Sequence, residues 1–180
     1  MTPILDTLEP LLEAVRDGVE ASGWTLSGLQ KTTSYEFEGR WAGDTTRSAY
    51  LFFHREAHEG VSVDVYLDET SRGLRGNLAL VLDLRSPREL PLASDVLGGL
   101  AHATGAQLPE GYRTPVTLRL RLPDSDSSVD DADLEARLKL TLPQAALDAG
   151  SSAVSALCTA TVESFEGVLA DPVVGRWRSP

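Results

Sequence analysis

The stretch VSVDVYLDETSRGLRGNLALVLDL, residues 61–84, decides the fold of this chain. Its first part places valine or leucine at every second position, with polar residues between them, which is typical of a strand with one buried face. After the glycine-containing break comes a run in which leucines alternate with partly apolar neighbours. Two such segments predict an antiparallel hairpin whose second strand is central in its sheet or covered on both faces.

Further period-two patterns lie on both sides of this hairpin and predict more strands. The alternating apolar positions are Tyr35, Phe37 and Trp41; Ala49, Leu51 and Phe53; Val116, Leu118, Leu120 and Leu122; and Leu134, Ala136, Leu138, Leu140 and Leu142. The earlier strands are expected to form an antiparallel meander. The last two are expected to form a second hairpin around an acidic loop at residues 123–134.

An amphipathic helix is predicted at the start of the chain, because apolar residues recur there at spacings of three and four. Thr2 is the expected N-cap and Gly23 the expected end. Pro10 is expected to kink this helix or to mark its restart, because proline lacks the N–H that an interior turn donates.

Two more helices are predicted later in the chain. Residues 92–105 form a short one containing the pair Gly98 and Gly99, which suits a close helix crossing or a dimer contact. Ser151 is placed to cap a long final helix that carries Cys158 on its apolar side. These elements combine helices with an antiparallel sheet. We expect one domain over residues 1–180 with a short C-terminal tail at 171–180.

The charge of the chain is negative and locally concentrated. The formal net charge is -11, and residues 124–135 contain six carboxylates and no lysine or arginine. Direct binding to a nucleic-acid backbone relies on lysine and arginine, so this charge argues against it and favours a protein partner with a basic surface. The single cysteine excludes an internal disulfide. No signal-peptide pattern or long apolar run is present, so a cytoplasmic location is expected.

The acidic stretch DSDSSVDDADLE, residues 124–135, has the ligand spacing of a calcium loop. Asp124, Asp126, Ser128 and Glu135 fall on positions 1, 3, 5 and 12 of an EF-hand loop. However, predicted strands flank the stretch instead of helices, and Val129 stands where the turn needs glycine. We expect an exposed, mobile acidic loop with Glu135 paired to a cross-strand arginine. A calcium-responsive module remains an alternative.

No motif predicts catalysis, a metal site or a cofactor. The histidines of HREAH, His54 and His58, lack the spacing and the helix of a zinc-protease motif and are expected to be solvated. Cys158 is expected to be a core residue. A nucleophile elbow, a Walker loop and a dinucleotide fingerprint are all missing from the sequence. We therefore expect a protein that is not an enzyme and that has no catalytic residues.

A basic stripe is the strongest nucleic-acid feature of the sequence. It consists of Arg119, Arg121, Arg137 and Lys139 on one predicted sheet face. Nucleic-acid binding through this stripe is a second alternative. The favoured interpretation is that these side chains pair with acidic residues of the same face, namely Glu36, Glu38, Asp64 or Glu135. Trp177, in the C-terminal tail, is the tryptophan expected to be available to a partner.

The order of elements resembles the YbjN family and the related type III secretion chaperones. The resemblance is carried by TPILDTLEPLLEAVRDGV, SYEFEGRW, VSVDVYLD, NLALVLDLRSPREL and SSAVSALCTATVESFEGVLA, and it covers nearly the whole chain. It implies an α+β fold, with a twisted antiparallel sheet and the helices packed mainly on one face, that acts as a homodimer, binds other proteins and catalyses nothing. The long acidic loop and an additional early strand depart from the secretion chaperones.

These observations lead us to expect a chaperone-like adaptor that acts as a homodimer on protein clients that are basic or that themselves handle nucleic acids. The short second helix is expected to form the dimer contact through Val96, Leu97, Leu100 and Ala101. The partner-binding residues are expected to be Leu8, Leu12 and Val15 on the first helix and Asp126, Asp130 and Asp131 in the acidic loop.

Overall fold

The computed structural model describes residues 5, 7–33, 46–108, 115–124, 126 and 128–180. The expected strand around Tyr35, Phe37 and Trp41 lies outside the described residues. The α-helices are α1 (Leu8–Ala21), α2 (Ala93–Gln107), α3 (Gln144–Ala149), α4 (Ser151–Leu169) and α5 (Pro172–Trp177). The strands are β1 (Thr25–Thr33), β2 (Thr46–His54), β3 (Val61–Thr70), β4 (Gly73–Leu84), β5 (Val116–Arg121) and β6 (Asp133–Thr141). Short 3-10 helices span Pro87–Glu89 and Val129–Asp131.

Within the described part of the chain, six strands form one antiparallel sheet in the order β1-β2-β3-β4-β6-β5. The predicted hairpin is its centre, because β3 and β4 pair from Val61 with Leu82 to Thr70 with Gly73. Ala79 and Val81 are buried on one face of β4 while its leucines are buried on the other. The prediction that this strand is central in its sheet or covered on both faces is confirmed by its central place.

The helices lie on one face of the sheet, which we call the inner face. α1 contacts β1, β2 and β3, α2 contacts β5, and α4 packs over both α1 and α2. The alternating apolar residues of β2, β3, β4 and β6 join the helices in a single hydrophobic core. Cys158 lies in this core as predicted, with no exposed surface. The predicted fold class, an α+β protein with helices mainly on one side of an antiparallel sheet, is confirmed.

The opening helix differs from the prediction at its start. Leu5 is not helical, and α1 begins at Leu8 after Thr7 in an extended conformation. Thr2, the expected N-cap, lies outside the described residues. Pro10 falls in the first turn, where backbone N–H groups have no acceptor within the helix, so the expected kink or restart is wrong. The end is as predicted, because Gly23 follows the helix with φ at +87°.

The glycine pair of α2 provides a close contact inside the chain. A Cβ atom on Gly99 would collide with the ring of Trp177, whereas one on Gly98 would meet no other atom within 4 Å. Trp177 is half-buried against the core, with its ring packed on α2, and it keeps more exposed surface than Trp24, which is 2% exposed. The C-terminal tail is held down as well, because Arg178 bridges to Leu84 at the end of β4.

Among the described residues, no helix combines the length and the apolar character that crossing a membrane requires.

Candidate functional site

The predicted partner surface on α1 is buried. Leu8, Leu12 and Val15 are 1%, 4% and 0% exposed, because the apolar side of the helix packs against the inner face of the sheet and against α4. These three residues are core residues, and their prediction as a partner-binding surface was wrong.

The predicted dimer surface on α2 is divided between two sides of the helix. Val96 and Leu100 are buried in the core, whereas Leu97 is half-buried and Ala101 is exposed. The four residues therefore do not form one available patch. Val96 and Leu100 were wrongly predicted as a contact surface, since both are used within the chain.

An apolar groove lies between the start of α2 and the inner face of β5. Its volume is roughly 450 Å³, within the range typical of ligand sites. The lining is aliphatic or proline throughout and consists of Pro87, Leu90, Pro91, Leu92, Ala93, Val96, Leu118, Leu120, Val129 and Leu134. Leu92, Val129 and Leu120 are 74%, 56% and 44% exposed. Clustered exposed aliphatic side chains of this kind mark interaction sites.

Two short 3-10 helices shape the rim of this groove. Ser86 caps the first, Pro87–Glu89, and its hydroxyl donates a hydrogen bond to the backbone oxygen of Asp130, 2.8 Å away, in the second, Val129–Asp131. Arg88 approaches the carboxylate of Asp130 at 3.5 Å. The acidic loop is thereby attached to the groove, and Val129 of that loop forms part of the groove lining.

The predicted acidic contact residues are all at the surface. Asp126, Asp130 and Asp131 are exposed. The carboxylate of Asp131 accepts a hydrogen bond from the hydroxyl of Ser128 at 3.1 Å, and the N–H of Asp126 donates to the carboxylate of Asp124 at 2.9 Å. Asp130 and Asp131 follow the lining residue Val129, so the apolar groove has negative charge beside it, next to Arg88.

Strand β5 is an edge of the sheet and has one side without a partner among the described strands. The N–H of Lys139 donates to the carbonyl of Pro115, which sets the hydrogen-bonded positions of the β5 and β6 pair. Hydrogen-bonded and non-hydrogen-bonded positions alternate along an antiparallel pair. The backbone groups of Val116, Leu118 and Leu120 consequently point away from β6, toward the free edge.

The calcium ligand set predicted in the acidic loop is not brought together. Glu135 lies on β6 near the guanidinium groups of Arg119 and Arg137, at 3.9 and 3.7 Å, as the cross-strand pairing predicted. In the part of the chain that is described, no group of three or more histidine, cysteine, aspartate or glutamate side chains could hold a metal ion.

The basic stripe lies on the outer face of the sheet, which we call the open face because none of the described helices packs on it. Arg137 approaches Asp64 at 3.5 Å, and together with the two contacts of Glu135 this agrees with pairing across the face. Glu36 and Glu38 lie outside the described residues. Burial raises the pKa of Asp64 above its ordinary value, and it outweighs the hydrogen bond from Ser62 and the charge of Arg137.

Three aromatic side chains on the open face were not identified from the sequence. Tyr50 and Phe52 follow each other on β2, with ring centroids 6.5 Å apart, and Tyr66 on β3 is 4.6 Å from Tyr50. The available signal in the sequence was that aromatic residues occupy positions of β2 and β3 that alternate with the core positions.

The two histidines differ in their surroundings. His54 ends β2, as predicted, and is exposed, with its Nδ1 atom 2.5 Å from the Ser27 hydroxyl. The prediction that His58 is solvated is wrong, because its Nε2 atom lies 2.6 Å from the carboxylate of Glu166 and its ring stacks on Trp24. Arg55 and Trp24 donate hydrogen bonds to the same carboxylate, at 2.6 and 3.0 Å. This cluster ties the β2-β3 turn to α4.

Comparisons with protein-family models, with curated proteins and with solved structures found no match to this chain.

Proposed function

We propose that this protein is a non-enzymatic, chaperone-like adaptor of the cytoplasm that binds protein clients in the apolar groove. The observation that carries the proposal is the direct continuity between the groove and the edge of β5 with which no described strand pairs. Leu118 and Leu120 contribute side chains to the groove and backbone groups to the edge of β5. An extended client segment can use both features at once.

The geometry defines the pattern of such a segment. A strand added to β5 places every second side chain on the inner side of the sheet, where the groove lies. Those side chains are expected to be aliphatic, because the groove lining offers no charged group. Residues at the ends of the segment are expected to be lysine or arginine, because the exposed Asp130 and Asp131 of the acidic loop follow the lining residue Val129. The clients are thus proteins with basic segments, including proteins that handle nucleic acids.

The expected affinity is modest. Covering the exposed side chains of Leu92, Leu120 and Val129 contributes about 1–2 kcal/mol each. Ordering the extended segment opposes this gain, so backbone pairing and charge attraction must add to it. A dissociation constant in the micromolar range is consistent with reversible holding of a client.

The test uses a labelled synthetic peptide with valine at alternate positions and lysine at both ends, titrated with the full chain by fluorescence anisotropy. Leu120→Asp is expected to weaken binding at least about tenfold, since it places a charge in the groove. Leu122→Asp is the matched control, because Leu122 is 45% exposed but does not line the groove. Equal loss in both variants, or no binding of the peptide to the wild type, would refute the proposal.

The acidic rim is tested separately by the rate of association. Replacing Asp126, Asp130 and Asp131 by asparagine is expected to slow association at low salt and to have little effect at high salt, because steering by exposed charges is screened. A peptide with glutamate in place of lysine at its ends serves as the control. Unchanged association rates at low salt would remove the acidic loop from the mechanism.

The proposed adaptor acts as a homodimer, as the resemblance to secretion chaperones implies. Of the four residues first expected at the dimer contact, Leu97 and Ala101 alone reach the surface. A dimer therefore needs another surface or a larger one.

A further inference from the structure

The open face of the sheet carries an apolar centre that is accessible to solvent. Tyr50 is 45% exposed, and Phe52 and Tyr66 beside it are half-buried. The three rings surround a depression of roughly 200 Å³ that Gln30 and Asn77 also line. Aromatic side chains contribute large contact areas at little cost in conformational entropy, and for this reason they are enriched at the centres of protein interfaces.

The charges around these rings balance one another. On the open face of strands β3 to β6, the basic side chains are Arg75, Arg119, Arg121, Arg137 and Lys139, and the acidic ones are Asp64, Asp68, Asp83, Asp133 and Glu135. The two signs occur in equal numbers, although the chain as a whole carries a net charge of -11. In the part of the open face that the structure describes, the charge is thus balanced, on a strongly acidic molecule.

We infer that the open face binds a second copy of this chain. Two copies of an acidic protein repel each other over most of their surfaces, but two locally neutral faces do not. A two-fold contact brings the same patch together from both copies and must therefore be complementary to itself. A patch with an aromatic cluster on β2 and β3, and with both signs of charge on the strands beside it, meets this requirement. The inference rests on the homodimer of the proposed function and gives it a location.

The size of the face is sufficient for such a contact. Six strands spaced about 4.8 Å apart, with about eight residues of each strand at 3.3 Å per residue, give a projected area of about 600 Å². Contact between two such faces buries about 1,200 Å² in total, the lower end of the range for specific interfaces. The dimer is accordingly expected to dissociate at low concentration.

Other occupants fit the open face less well. A nucleic-acid strand would stack on the aromatic rings, but an equal number of acidic groups cancels the attraction of the basic stripe for phosphates. Conversely, the apolar groove suits a second copy poorly, because it would bring one strongly acidic loop toward another molecule of net charge -11.

The experiment is sedimentation velocity of the full chain over a range of concentrations up to about 100 μM, a range in which weak specific interfaces are occupied. Wild type is expected to form a dimer. Tyr50→Glu is expected to raise its dissociation constant at least about tenfold, because it places a charge in the centre of the contact. Lys139→Glu, at an exposed position of the same face, tests the surface without altering the aromatic cluster. Ala101→Glu on α2 is the matched control and is expected to leave the dimer intact. Circular dichroism confirms the fold of each variant.

The outcomes separate the inference from the proposed function. A monomeric wild type overturns both the homodimer and its location. A dimer that survives Tyr50→Glu and Lys139→Glu, or one lost in Ala101→Glu alone, overturns the location and keeps the homodimer. A single-stranded oligonucleotide that binds wild type and not Tyr50→Glu assigns the face to nucleic acid instead. Peptide binding in the groove, measured on the same variants, is expected to persist in all of them.

Discussion

The glycine pair of α2 offers a test of how the C-terminal tail is held. Gly98 and Gly99 both lie in the interior of the helix Ala93–Gln107, and they differ in what faces them. The space beside Gly98 is open, whereas the ring of Trp177 packs directly on Gly99. Replacing each glycine by alanine changes the chain by the same methyl group, so the two variants are matched to one another.

The magnitude follows from two opposing effects. Alanine is favoured over glycine inside a helix by about 1 kcal/mol, and this gain applies to both variants. At Gly99 the added methyl group also displaces Trp177, and inserting a methyl group into a packed contact costs about 1–3 kcal/mol. Gly98→Ala is therefore expected to be stabilising by about 1 kcal/mol, and Gly99→Ala to range from neutral to destabilising by about 2 kcal/mol.

The assay is thermal unfolding followed by circular dichroism, together with tryptophan fluorescence. For a chain of this size, 1 kcal/mol shifts the Tm by about 2–4 °C, so Gly98→Ala should melt higher than the wild type and Gly99→Ala should not. The tryptophan emission of the protein should move to longer wavelength in Gly99→Ala alone, as the ring of Trp177 becomes more exposed. Equal stabilisation of both variants would refute the packing of Trp177 on α2.

Three more predictions concern single groups. Burial by itself would raise the pKa of Glu166, but the hydrogen bonds from His58, Arg55 and Trp24 and the charge of His58 hold it below the ordinary value of 4.5. Its stabilising effect is therefore complete above pH 4.5 and is lost as the pH falls through the lowered pKa. Glu166→Gln should cost about 1–2 kcal/mol in urea unfolding at pH 7 and reduce the loss of stability on acidification, and an unchanged pH profile would contradict this. Burial raises the pKa of the Cys158 thiol to about 12, so a thiol reagent should react with it only after denaturation; fast labelling of the native protein would contradict its position in the core. Calcium should not shift the Tm, because Glu135 lies beside Arg119 and Arg137 instead of in a ligand set; a shift that disappears with Asp124→Ala would restore the calcium alternative.

The strands that the sequence predicted are those whose apolar residues alternate without interruption. β3, β4 and β6 each bury one continuous side, so the period of two is visible in their residues. β1 was missed because TLSGLQKTT contains two apolar residues and a glycine at a shift in register between Leu26 and Gly28. An edge strand of this kind is held by backbone pairing to β2, and backbone pairing leaves no hydrophobic pattern in the sequence.

The predictions of contact surfaces were wrong for a related reason. The apolar periodicity of α1 correctly identified Leu8, Leu12 and Val15 as residues that avoid water. Periodicity does not show whether the core of the same chain or a partner protein buries such residues. The groove was missed because its lining comes from three separate segments, none of which has a regular period. The proline-rich and leucine-rich stretch SPRELPLA was the available signal, since Leu92 lies there outside any apolar pattern.

Strand β5 connects the two surfaces that carry the proposals. Its side chains alternate, so Leu118 and Leu120 face the groove while Arg119 and Arg121 face the open side of the sheet. A client strand added to this edge would also present every second side chain on the open side, next to the two arginines. Client binding would thus extend the open face by one strand and change the charge at its border. The groove and the dimer contact are therefore expected to be energetically coupled for those clients whose acidic residues on the open side can pair with Arg119 and Arg121.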